Sequence, residues 1–377
     1  MGMTGRYGFY EAADFTKSRC GNLPFAIVRS YMAHHVGMSI CAITNALFDD
    51  LLCKRFMSGK MGRAKILLFE KIPNGTGVYK RYVEPEIPEK PGRSISSIEK
   101  IDQVSPVTPK AHLLSNGELT LIASDSGLCS CKYRGYEVYR PTADPYTSPQ
   151  GVIAVLSGGD AKFSLTSAPD YTKSGAPRAE FAPSYCAYYA KGGPIEGGMS
   201  VSLHEKLPCE IRTFKIRNRS GKRIQARLTI YFEPCMFSRE DSFAHPAFNR
   251  LFIESHFSQE LSALVFTRRT RDGESPMSLV VGFSDARPFY YDCSRESVLS
   301  RPYGTKSLLW EVISGRNAQG VPDTCCGIEI ALALSSHSQK TARLILSSAA
   351  TEEEAARNFL LCREDPSAPQ DGIPRCV

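Results

Sequence analysis

The sequence has no long apolar run. Its apolar stretches, such as Ile330 to Leu334, fall far short of the about twenty residues that a membrane-spanning helix needs. Arg29, His34 and His35 interrupt the most apolar helical stretch. Nor is there a strong excess of one charge. The 46 basic and 39 acidic residues leave a formal net charge of +7, and the charges are scattered. Short clusters such as Arg217-Asn-Arg219 with Lys222-Arg223, and Arg268-Arg269-Thr-Arg271, read as solvated strand ends and turns. A nucleic-acid footprint needs a continuous basic face, so no nucleic-acid partner is expected. Met1 to Tyr10 is glycine-rich and aromatic rather than apolar, unlike a secretory signal peptide. No C-x-x-C pair occurs among the thirteen cysteines, which argues against a zinc site. Free thiols at that density suit a reducing cytosol. Phosphate-loop, dinucleotide-binding and Ser-nucleophile signatures are also missing.

What is present is ordinary globular composition, 42% hydrophobic and 23% charged over 377 residues. At roughly 150 residues per domain, that is two to three domains. The text changes character twice. From Phe25 to Leu52, apolar residues recur at helical spacing (Ile27, Val28, Tyr31, Met32, Met38, Cys41, Ala42, Phe48), which predicts helix. A second helix is predicted from Arg63 to Lys71, ending before Pro73. Residues 73–110 carry Pro73, Pro85, Pro88, Pro91, Pro106 and Pro109 among Glu, Lys and Ser, the composition of an extended linker, with one short strand at Val78 to Val83.

From Ala111 to about Ala349 the pattern is β. His112 to Leu114 and Glu118 to Ala123 flank Ser115-Asn-Gly117, a hairpin signal. Gly151 to Leu156 and Ala161 to Thr166 flank a Gly-Gly-Asp turn, and Ile211 to Asn218 and Ile224 to Phe232 flank Arg219 to Lys222. In the last strand Ala226, Leu228, Ile230 and Phe232 alternate with Arg227, Thr229 and Tyr231, so one buried face is expected. Further strands are predicted at 129–138, 184–190, 198–206, 249–256, 262–268, 277–284, 307–313, 327–335 and 340–348. About fourteen short strands predict a large antiparallel sandwich, residues 111–349. Trp310 and the aromatics of Tyr185 to Tyr189 read as strand packing. Thr351 caps a helix to Leu361 whose first turn holds Glu352 to Glu354, matching the positive end of the dipole. Residues 350–377 are thus the start of a linker helix and a frayed tail. The helices of residues 1–72 have apolar faces and little within that span to bury them. The order suggests a chain cut from a longer one.

Six motifs carry a family resemblance. Tyr7-Gly-Phe-Tyr-Glu-Ala-Ala-Asp-Phe-Thr16, Val28-Arg-Ser-Tyr-Met-Ala-His-His-Val-Gly-Met38 and Lys65-Ile-Leu-Leu-Phe-Glu-Lys-Ile-Pro73 resemble the end of the glucoamylase-like domain in cyclic β-1,2-glucan synthases. His112-Leu-Leu-Ser-Asn-Gly117, Ile216-Arg-Asn-Arg-Ser-Gly221 and Ala244-His-Pro-Ala-Phe-Asn-Arg-Leu-Phe-Ile-Glu254 resemble the N-terminal β-supersandwich of family 94 glycoside phosphorylases, formerly glycosyltransferase family 36. That sandwich is galactose-mutarotase-like. The chain departs from the family pattern at Val36, at Phe69 and at Phe56 to Gly59.

The resemblance implies a mainly β fold: a supersandwich preceded by a helical stub, residues 1–72, of an (α/α)6 barrel. It implies β-glucan or oligosaccharide as partner, glycosyl transfer or phosphorolysis as the parent chemistry, and inorganic phosphate as co-substrate in the second case. No metal is implied. The catalytic barrel and the remainder of the first barrel are expected partners outside this chain, so the chain alone is expected to be inactive. A cytosolic location is expected, compatible with attachment of the parent to the inner membrane.

Glycosidases use paired carboxylates, and aromatic rings stack on sugars. Glu11 is therefore the candidate catalytic carboxylate of the parent barrel, with Tyr7, Tyr10 and Asp14 as one rim of a sugar cleft. His34 and His35, about 100° apart on a helix, are candidate substrate-binding groups rather than a metal pair, and His245 is a candidate contact from a sandwich loop. The alternative to this reading is a stand-alone carbohydrate-binding or structural β-sandwich module without enzymatic activity.

Overall fold

The computed structural model describes residues 2–21, 23–59, 98–102, 104, 109–142, 151–171, 178–270, 274–318 and 323–365. The expected helix Arg63 to Lys71 and strand Val78 to Val83 lie outside these. The chain divides into two compact units, Met1–Arg93 and Ser94–Val377.

In the first unit, strand Ala12–Asp14 pairs antiparallel with Ala26–Val28, and helices Ala33–Leu47 and Leu51–Ser58 follow. The helical periodicity from Phe25 thus misread its first residues. Ile27 and Val28 are β-branched and find a strand partner in Ala12 and Ala13. Asp49 and Asp50, at φ of 50° and 56°, break the helical stretch, a left-handed conformation that aspartate tolerates. Among the described residues no single helix is long and apolar enough to cross a membrane, and the two helices together are bent by 95°.

The second unit is mainly β. A nine-stranded sheet, a six-stranded sheet and a four-stranded sheet form among the described residues. The nine-stranded sheet runs, in spatial order, Ile253–Ser258, Ala263–Arg268, Ser278–Phe283, Gln339–Ala349, Cys209–Asn218, Ile195–Leu203, Tyr185–Gly192, Arg178–Ala182 and Glu99–Ile101. The last strand comes from the stretch read above as linker; it pairs with Arg178–Ala182. The six-stranded sheet runs Ala161–Ser164, Ile153–Gly158, Ile224–Phe232, Thr324–Leu334, Tyr290–Ser294 and Arg316–Asn317. Side chains from all three sheets share one apolar core, including Leu121, Leu156, Tyr188, Phe214, Ile230, Phe266 and Leu344.

The hairpin at Asn116 forms as its sequence signal says. Asn116 Oδ1 accepts from Glu118 N and Leu119 N at 3.1 and 2.7 Å, and Gly117 takes the φ of 91° that the turn needs. The strands either side of Arg219 to Lys222 are a different case. Cys209–Asn218 lies in the nine-stranded sheet and Ile224–Phe232 in the six-stranded one, so this segment carries the chain across the sandwich. Buried Asn218 anchors the crossing: its Nδ2 donates to Lys222 O and Ser335 O, and its Oδ1 accepts from Ser220 N.

Strand Ile224–Phe232 turns Ala226, Leu228, Ile230 and Phe232 into the main core, as the alternation predicts. Its other face is not wholly exposed. Tyr231 is buried there with Ile153, Val155, Val298, Leu299, Leu308, Ile313 and Cys325. The cover comes from the stretch predicted as strand 307–313, which is instead a 3-10 helix, Gly304–Leu309. Ser307 Oγ donates to Gly304 O at 2.7 Å and accepts from Ser300 N at 3.0 Å, which stabilises a tight local turn over a strand ladder. Trp310 consequently stands 50% exposed rather than in the core. Likewise the strand predicted from residue 249 begins only at Ile253, because Pro246–Arg250 is a short helix with proline in its first turn.

Helix Glu352–Glu364 begins at Thr351, whose hydroxyl accepts from Glu354 N at 3.2 Å. It lays Ala355, Phe359 and Cys362 against Cys209, Ile211, Val265, Val280 and Ile345, covering the second face of the nine-stranded sheet. The twelve described cysteines are free thiols.

Candidate functional site

In the first unit the structure brings together Tyr7, Tyr10, Glu11, His34 and His35, and adds Tyr31. Pairing of Ala12–Asp14 with Ala26–Val28 sets Glu11 beside Ser30, whose carbonyl accepts from Glu11 N at 3.0 Å. The first turn of helix Ala33–Leu47 then carries His35 to it, and Glu11 Oε1 lies against His35 Nδ1. The Glu11 side chain is nearly buried while that of His35 is half exposed. The His34 ring packs at 4.0 Å from that of His35. Tyr31 sits between Tyr10, at 5.3 Å and 36°, and Tyr7, at 5.6 Å and 83°. This packing needs Gly5: a Cβ there would lie 2.1 Å from the Tyr31 hydroxyl and 2.6 Å from the Tyr10 ring. Tyr7 and Phe9 remain largely exposed beside the acid.

Asp14 does a different job. Its carboxylate accepts from Thr16 N at 2.9 Å and pairs with Arg19 at 3.1 Å. The Thr16 hydrogen bonds, followed by Arg19, hold its carboxyl below the usual value. It ties the turn before helix Lys17–Cys20 and is not free to act on a ligand. His245 belongs to the second unit, where it joins helices Arg239–Ala244 and Pro246–Arg250. Its backbone N–H donates to Asp241 O and its carbonyl accepts from Asn249 N, both at 3.0 Å. Its side chain is exposed.

Beneath that loop lies a charge network absent from the sequence reading. Glu233 takes Arg140 on one oxygen and Arg295, at 2.8 Å, on the other, which also accepts from Tyr231 at 2.8 Å. Asp323 contacts Arg250 and reaches Arg295 at 3.7 Å. Burial alone would raise the Glu233 carboxyl; Arg140 and Arg295 outweigh it and hold it low. Asp323 moves up, through burial and the neighbouring Glu233 charge. The gap between the network and the loop is only ≈ 20 Å³, room for about one water.

A larger cleft of ≈ 430 Å³ opens among Ser115, Asn116, Ser184, His204, Glu205 and Asp365. His204 Nδ1 accepts from Lys206 N and Leu207 N, both at 3.1 Å. The ring proton therefore resides on Nε2, which donates to Asp365 at 3.0 Å. Asn116 Nδ2 donates to His204 O and Leu207 O. This histidine shapes the wall. Among the described residues no group of three or more His, Cys, Asp or Glu is placed to hold a metal ion.

The second unit is thus a fold of stacked antiparallel sheets in which several buried acids, Glu210 and Glu233 among them, are tied to arginines. Residues 96–361 match the family model for the supersandwich domain of glycosyl hydrolase 94, and the chain belongs to that family. The cyclic beta-(1,2)-glucan synthase NdvB of Rhizobium meliloti (strain 1021) is 26% identical to it over 283 residues, 73% of this chain and 10% of that protein. The chain thus spans about a tenth of the length of that relative. Among solved structures, a bacterial glucoamylase complexed with acarbose superposes with a TM-score of 0.41 at 10% identity, covering 71% of this chain and 38% of the other. A galactose mutarotase-like protein from Clostridium acetobutylicum gives 0.31 at 9% identity, covering 68% and 99%.

Proposed function

We propose that the chain is the carbohydrate-binding, non-catalytic portion of a β-glucan-active glycosyltransferase or phosphorylase similar to cyclic β-1,2-glucan synthases. Family membership supports a carbohydrate-active role. The observation that carries the non-catalytic part is the state of the carboxylates. Glycosyl transfer needs an acid that holds a proton on one side of the bond, and a nucleophile or base on the other. In the sandwich, Glu137, Glu196, Glu210, Glu233 and Glu329 each face an arginine guanidinium. Each guanidinium occupies oxygens that a substrate would need, and at Glu233 the two arginines hold the carboxyl below its usual value. In the first unit Glu11 meets His35 and Asp14 is held by Arg19, so the two acids of the motif do not form a working pair.

On this reading the sugar partner is a β-glucan or oligosaccharide, and catalysis belongs to (α/α)6 barrels of the parent polypeptide, with inorganic phosphate as co-substrate where the reaction is phosphorolytic. The test uses the pure chain. Linear β-1,2-glucooligosaccharides should bind in calorimetry. The same mixture with inorganic phosphate should give no glucose 1-phosphate and no shortened chains. Release of glucose 1-phosphate would overturn the non-catalytic role, and absence of binding would overturn the carbohydrate role.

A further inference from the structure

The only tryptophan in the chain stands half exposed, edge-to-face with a second exposed ring. Trp310 and Tyr303 lie 5.2 Å apart at 86°, and Tyr303 is 60% exposed. Two large rings side by side in water forgo the burial that normally holds aromatics inside, and such patches mark contact sites. The rings flank the 3-10 helix Gly304–Leu309, whose Leu308 is buried against the sheet. They are therefore presented by an anchored element.

The surface continues across the outer face of the six-stranded sheet. Next to Trp310, the Glu311 carbonyl accepts from the Lys162 ammonium. Lys162 stands opposite Ser157, and Ser157 opposite Arg227. Arg227 pairs with Glu329 at 3.1 Å, and Thr229 donates to the other Glu329 oxygen at 2.8 Å. The Arg227 guanidinium lies 5.9 Å over the ring of Phe289, which is itself partly exposed. Ser157 and Ala331, the residues opposite Arg227, are small and leave the floor between the rings low.

The arrangement is chemically specific. A pyranose presents flat C–H faces and a rim of hydroxyls, each both donor and acceptor. Exposed rings suit the faces, and the partly exposed Arg227 guanidinium, held in place by the buried Glu329, offers donors to the rim. The two cations are answered by Glu329 and the Glu311 carbonyl, so the face suits a neutral ligand better than an anion. We propose that this outer face is a saccharide-binding surface on which Trp310 and Tyr303 stack against sugar rings while Lys162 and Arg227, the latter oriented by Glu329, donate hydrogen bonds to hydroxyls of the same oligosaccharide. The proposal rests on the carbohydrate reading above and names where the sugar sits.

Because Trp310 is the sole indole, its emission reports on this face alone. Titrating the full chain with linear β-1,2-glucooligosaccharides should shift the emission to the blue and shield it from iodide, saturably. Trp310→Ala and Tyr303→Ala should each weaken calorimetric binding by about tenfold, with melting temperature nearly unchanged because both rings are exposed. Binding that leaves the emission unaltered, with Trp310→Ala binding like the parent chain, would overturn the site and leave the carbohydrate reading standing. No binding at all would overturn both. A Trp310→Ala change that alters sedimentation but not sugar affinity would reassign the face to protein contact and overturn the proposal.

Discussion

Glu210 and Arg212 stand two residues apart on strand Cys209–Asn218, both side chains buried, with Arg212 Nε 2.6 Å from Glu210 Oε1. Spacing of two puts them on one face of the strand, the face that also sends Phe214 and Ile216 into the main core. Arg212 Nη2 reaches Cys129 Sγ at 3.1 Å, and the Tyr139 hydroxyl donates to Glu210. Burial pushes the Glu210 carboxyl up, against the pull of Arg212. Two charges in this core are tolerable only together.

Arg212→Met should therefore cost about 3–5 kcal/mol, because it strands Glu210. The double change Glu210→Leu with Arg212→Met should recover most of that loss, less the cost of an unpartnered Tyr139 hydroxyl. Urea unfolding of the parent and variants measures both. A double variant as unstable as the single one would refute the pairing.

Glu233 has a lowered folded-state pKa relative to its ordinary 4.5. Its pairing with Arg140 and Arg295 thus contributes stability that is present above pH 4.5 and lost as pH falls through the folded value. Asp323, raised from 3.8, works the other way, its contribution fading as pH rises. Glu233→Gln should destabilise by about 2–3 kcal/mol near neutrality. The gap from the parent chain should close on acidification below 4.5. Thermal melts across pH 3–7 read it, and a gap that stays constant with pH would count against an ionised Glu233.

Thr351 is the cap of helix Glu352–Glu364. Thr351→Ala should cost about 1 kcal/mol and speed hydrogen exchange at Glu354, the amide it accepts from. Unchanged exchange there would show that water satisfies this turn equally well.

Helix Ala33–Leu47 exposes Val36, Ile40, Ile43 and Leu47, a stripe at helical spacing. Exposed apolar surface of this kind promotes association. The chain should bind a hydrophobic dye and sediment faster as concentration rises, and Ile43→Lys with Leu47→Lys should reduce both without loss of circular dichroism. A parent chain that stays monomeric and dye-free would argue that the stripe is covered.

The sequence by itself determined whatever depends on near neighbours. The Asn116-Gly117 turn, the Thr351 cap and the alternation from Ala226 to Phe232 are set by groups a few residues apart, and each stands in the structure where the pattern puts it. The family motifs likewise carried the supersandwich. Tertiary structure decided what depends on distant partners. Whether Arg219 to Lys222 turns within one sheet or crosses to the other depends on which strands the two neighbours pair with, and those, Gln339–Ala349 and Thr324–Leu334, lie more than a hundred residues away. Trp310 has the β propensity of a core residue, yet Leu308 takes the buried position and the intervening turn leaves the indole outside. Glu11 and His35 are 24 residues apart, and only the pairing of two short strands makes them neighbours. Burial of Glu210 and Arg212 has no signature along the chain, because a charged pair at strand spacing reads as a solvated face until a second sheet packs over it.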